Sequence, residues 1–161
     1  MATANAATTF LENRLLNFIF KGNEAQGGVT FASPGNSIYV GLATAVSNFN
    51  DSTGESGDPV ITEANFTNYT RKQVVAANWT LTSESADTQS CSNSNEVEFP
   101  ASGGTNNTIT HVFITTESTA SLDVVGASGN VLFIGALDVN KTIQSGDIFR
   151  INAGNLTVEL K

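Results

Sequence analysis

The apolar positions of this chain change rhythm about twenty residues in. In TTFLENRLLNFIFKG, apolar residues are crowded together: Phe10, Leu11, Leu15, Leu16, Phe18, Ile19 and Phe20. Thr9 stands at a capping position with Glu12 three residues later, the spacing at which two orphan backbone N–H groups are satisfied reciprocally. Gly22 is placed to end the element. The pattern predicts a helix over residues 10–21 with too much apolar surface for one amphipathic stripe. Such a helix must be covered on most sides, by a sheet opening or by a neighbouring subunit.

Downstream the rhythm is that of strands separated by polar turns. Strands are predicted at Ser37 to Ala43, Thr70 to Ala77, Trp79 to Thr82, Glu96 to Phe99 and Ile109 to Thr115. In the fifth of these, His111 aligns with Ile109 and Phe113 on one face. Val131 to Leu137 is apolar on both faces, as a central buried strand requires. Asp147 to Ile151 follows, and then a half-buried strand through Leu156, Val158 and Leu160. The stretch NFNDSTGESGDP and the Ser-, Asn- and Asp-rich run from Ser83 to Asn95 read as loops.

Short strands, polar turns and a single helix predict an all-β, single-domain β-sandwich or jelly-roll-like fold with one N-terminal helix. A parallel α/β sheet is excluded for want of crossover helices. Residues 1–8 read as a flexible arm and 9–161 as the one domain, with no internal repeat and no linker. The arm is small and polar, suited to strand or arm exchange with a partner.

Charge narrows the partners. Seven basic residues against fifteen acidic ones leave a formal net charge of −8, a poor match for nucleic acid or an anionic membrane surface. Charged residues are only 14% of the chain, so Asn, Thr, Ser and Gly must supply most of the polar surface. No apolar run approaches the ~20 residues of a membrane helix. The opening MATANAATTF lacks the basic region and apolar core of a signal peptide, which predicts a product made and kept in a cytoplasm, or assembled there into something larger. Several Asn-X-Ser/Thr triplets, among them those at Asn65, Asn68 and Asn140, then read as chance.

Candidate chemistry is sparse. Cys91 is the only cysteine and reads as an idle loop thiol. His111 is the only histidine, with no nucleophile elbow to accompany it. The two give no zinc-ligand spacing. Asp51, Glu55, Asp58 and Glu63 lack the regular spacing of a calcium loop and read as solvated charge. GGTNN at Gly103 and GASGN at Gly126 carry no P-loop lysine and read as turns. The expectation is a protein without enzymatic activity, metal or cofactor.

Four stretches together resemble a family of small tailed-phage virion proteins: LLNFIFKG running into SIYVGLATA, then NYTRKQV, ITHVFI, and NVLFIGALDVNKTIQSGDIFRINAGNLTVEL. Members are often labelled tail fibre proteins, and some are capsid decoration (cement) proteins. In NYTRKQV, Tyr69 and Arg71 match the family's Gly-Tyr-Ala-Arg pattern, with Asn68 and Thr70 in place of Gly and Ala. The resemblance implies a virion structural protein, foremost a homotrimeric decoration protein bridging capsomers on the major capsid protein. The alternative is a tail-associated or fibre protein binding a host surface. Leu15, Leu16, Phe18 and Phe20 are the expected oligomer or capsid contacts, together with Tyr69 and Arg71. Tyr69 and Arg71 also project to one face of a strand, where the Arg71 guanidinium can pair with Asp58 or Glu63.

Overall fold

A computed structural model of the chain describes residues 6–7, 38–47, 60–85, 88–119, 122 and 131–160. The helix expected at residues 10–21, with Leu15, Leu16, Phe18 and Phe20, lies outside the described residues. What is described is all-β and sandwich-like, in antiparallel sheets.

The largest sheet runs β1 (Ala6–Ala7), β9 (Val131–Ile143), β8 (Asn107–Thr115), β2 (Tyr39–Ser47), β3 (Val60–Glu63). β4 (Lys72–Gln73) pairs with β2 along the same edge as β3, farther toward the start of β2. A three-stranded sheet joins β5 (Trp79–Ser85), β6 (Thr88–Asn93) and β11 (Thr157–Leu160) in the order β11-β6-β5. β7 (Val97–Glu98) and β10 (Arg150–Ile151) pair as a short ribbon.

Alternation along β2 sets up two apolar layers. Val40 and Leu42 face the larger cluster, with Val112, Phe66, Phe99, Val97 and Phe149. Ala43 faces the other way, into a second cluster with Phe113, Val131 and Ile134. Both faces of the large sheet are therefore buried, which is why Val131 to Leu137 lacks a polar side. Each large side chain withdrawn from water here contributes roughly 1.5–3 kcal/mol.

Several predicted elements change on folding. The run from Ser83 to Asn95, expected as a loop, contributes the end of β5 and all of β6, which pairs with β5 on one side and β11 on the other. Ser, Thr and Gln carry no apolar alternation, so backbone pairing specifies this strand where side-chain pattern does not. Val60–Glu63, placed in a polar connection by its neighbours, is β3. Conversely, Thr70 to Ala77 keeps only Lys72–Gln73 as strand, and Ala76–Asn78 turns into 3-10 helix. The Asp147 to Ile151 strand shrinks to Arg150–Ile151.

The expected alignment of Ile109, His111 and Phe113 also fails. Register between β8 and β9 shifts between Ile109 and His111, where Ile109 lies opposite Lys141 but His111 lies opposite Ala136. The irregularity reverses the alternation. Ile109 joins Val112 in the larger cluster, and Phe113 joins the second.

Candidate functional site

The described polar chemistry converges where β3 and β4 leave a gap along the edge of β2. β3 pairs with β2 from Ala43 onward, and β4 pairs with Tyr39 and Val40. The N–H of Leu42 falls between these ladders and donates to the Tyr69 hydroxyl at 2.9 Å. Tyr69 in turn donates to Glu63 Oε1 at 2.8 Å.

Arg71 completes the arrangement. Its Nε donates to Glu63 Oε1 and its second terminal nitrogen to Glu63 Oε2, each at 2.8 Å, a two-pronged pair. The remaining terminal nitrogen donates to the Glu117 carbonyl at 2.7 Å, so the guanidinium ties β3 to the chain just past β8. Only 5% of the Arg71 side chain is exposed, against 25% for Glu63. The guanidinium carbon lies 5.6 Å from the Phe113 ring centroid, within cation–π range. Burial works to lower the Arg71 pKa, but the hydrogen bond and charge of Glu63 outweigh it and leave it above its ordinary value.

The Tyr69 ring meets Phe66 edge-on at 5.2 Å and stacks on Phe99 at 6.1 Å. Burial pushes the Tyr69 hydroxyl well above the usual phenol range. The Leu42 N–H opposes that shift, and the Glu63 charge adds to it. The phenol therefore stays neutral and acts as a fixed donor–acceptor. Asn68, just before it, sits at φ 75°, the left-handed conformation that Asn tolerates better than most residues.

Two buried asparagines make similar ties elsewhere. Asn93 is 1% exposed; its Nδ2 donates to the carbonyls of Asn95 and Asn152, and its Oδ1 accepts from the Leu156 N–H. Asn107 Oδ1 accepts from the N–H groups of Asn65 and Phe66, while its Nδ2 donates to Asn65 Oδ1 and the Asn106 carbonyl. Composition placed asparagine on the surface. These two instead satisfy backbone groups where strands end.

The other sequence candidates fare differently. Arg71 pairs with Glu63, one of the two carboxylates the sequence offered, and Tyr69 joins them, but neither Tyr69 nor Arg71 lies within a strand, so a shared strand face is not what brings them together. Asp58, with Asp51 and Glu55, lies outside the described residues. His111 Nδ1 lies 2.7 Å from the Thr110 hydroxyl, and burial lowers the ring's pKa. Cys91 sits in β6 rather than a loop, half-buried, with its thiol pKa raised by burial. That environment disfavours the reactive thiolate. Among the described residues, no group of His, Cys, Asp and Glu is placed to hold a metal ion.

A second surface feature is an open concavity of about 670 Å³ between the end of β9 and the approach to β10, bordered by Leu137, Val139, Ile148 and Arg150. Val139 is 65% exposed and Ile148 39%. Arg150 is held at its rim by Glu98 at 2.7 Å and Glu96 at 3.4 Å.

The family described as Podophage GP4 fiber I protein gp80 matches residues 6–159. No curated protein matches the chain.

Proposed function

The chain belongs to this podophage fibre family, a structural protein of the virion, and from that premise we propose that it is a non-enzymatic capsid decoration protein. In this reading it binds the major capsid protein as a homotrimer and bridges neighbouring capsomers. The observation that carries the reading is the crosswise tying of the sheet by Tyr69, Glu63 and Arg71. A cement must transmit load between capsomers without deforming, and a largely buried guanidinium that joins β3 to the chain just past β8 stiffens the sheet across its strands. Multivalent attachment then makes modest contacts strong in total.

With a net charge of −8, attachment rests on apolar and hydrogen-bonding contacts rather than basic steering, so occupancy on purified capsids should depend only weakly on salt. The family's fibre description favours a second reading, a tail-associated protein that binds a host surface. Copy number in purified virions separates them. Hundreds of copies on a quantitative gel support decoration, and a handful supports the tail.

A further inference from the structure

β9 is the longest described strand, thirteen residues. Its inner edge is covered by β8. On its outer edge, β1 is the only strand among the described residues, with Ala6 opposite Ile134 and Ala7 opposite Phe133. An apolar strand edge is a template for pairing with another chain, and here two residues from far away in sequence occupy the apolar first half of β9.

The connection matters. β1 and β2 are separated by β9 and β8 in the sheet, a distance of about 15 Å at ordinary strand spacing. Residues 8–38 could span on the order of 100 Å if extended. The covalent path therefore does not confine β1 to its own sheet. Pairing with the chain's own β9 and with a neighbour's β9 makes the same hydrogen bonds. The choice between them depends on loop closure against local concentration of copies.

We propose that β1 is exchanged between copies of this chain, the Ala6–Ala7 strand of one copy completing the β9 edge of the next. Each copy donates one strand and accepts one, so no pairing is lost and a ring of copies closes. Chains of like net charge gain most from such short-range backbone contacts, which need no charge complementarity. The exchange deepens the structural reading above by naming a second copy as the partner, but it does not depend on the station in the particle.

The test is disulfide trapping on the purified full chain in a Cys91→Ser background. Ala7→Cys and Phe133→Cys are placed on two differently tagged chains and co-expressed. At equal expression and random mixing, mild oxidation is expected to link the two tags in about half of the protein. Deleting residues 1–7 is expected to convert the oligomer to monomer with the sheet intact. If Phe133→Cys does not fold, Ala6→Cys with Ile134→Cys tests the same register. The proposal is overturned if no interchain bond forms, or if both cysteines on one chain close an intrachain bond in a monomer. That failure would leave the virion copy number, and the decoration reading with it, open to its own measurement.

Discussion

The Tyr69 hydroxyl occupies the place in the β2 ladder where a backbone carbonyl would stand, accepting the Leu42 N–H at 2.9 Å. Leu42 is fully buried, so no water can take over this role without opening the core. The phenol bridges a gap between two short edge strands and donates its own hydrogen bond to Glu63. One side chain thereby links the backbone of the central strand to the ion pair at its rim.

Tyr69→Phe keeps the ring and its stacking on Phe99 but strands the Leu42 N–H. The expected loss is about 1–3 kcal/mol, the cost of an unsatisfied buried donor, read as a lower urea midpoint at unchanged slope. The pH dependence has a definite sign. Burial raises the Tyr69 pKa in the folded chain, so its contribution is complete below the ordinary phenol value near ~10. It declines as the unfolded chain ionises above that value. The wild type should lose stability above about pH 10 more steeply than Tyr69→Phe does.

Arg71→Ala removes a side chain only 5% exposed and leaves Glu63 without its partner. Breaking a fully buried pair costs about 3–5 kcal/mol. Because Glu63 retains 25% exposure, about 2–3 kcal/mol is expected after screening. Arg71→Lys should recover only part, since an ammonium cannot reach Glu63 in two prongs and the Glu117 carbonyl as well. A double-mutant cycle with Glu63→Gln should return a coupling of about 1–3 kcal/mol, and a coupling near zero would show the pair to be incidental.

Gly41 faces Phe113 across the strand pair, and a Cβ there would lie 2.1 Å from the ring's Cζ. Gly41→Ala is expected to destabilise by roughly 1–3 kcal/mol through overpacking. Displacing the ring would also disturb the guanidinium above it. Adding Phe113→Leu should recover part of the loss in thermal unfolding. Additive losses would mean that the clash is relieved some other way.

Asn107→Ala frees the N–H groups of Asn65 and Phe66, and Asn93→Ala frees that of Leu156. Hydrogen exchange at those amides is expected to quicken in each variant by one to two orders of magnitude, corresponding to about 1–3 kcal/mol of local opening. Unchanged protection would show that other partners replace the asparagines.

The sequence by itself determined the all-β class, the central apolar strand at Val131 to Leu137 and the virion family, because burial on both faces and strand alternation write themselves into residue type. It also gave Arg71 a carboxylate partner in the acidic run just before it, leaving Asp58 and Glu63 both open, and the fold chose Glu63 and added Tyr69 to it. Tertiary structure decided the rest. β6 is built from Ser, Thr, Gln, Cys and Asn, and such a strand exists only because β5 and β11 supply partners on both sides. The reversal of faces between Ile109 and Phe113 comes from a register shift against β9, a property of two strands that neither records alone. The Leu42 N–H needs Tyr69 only because β3 and β4 stop short of each other on one edge. Local pattern reports which residues avoid water, whereas pairing and register are settled between segments far apart in the chain.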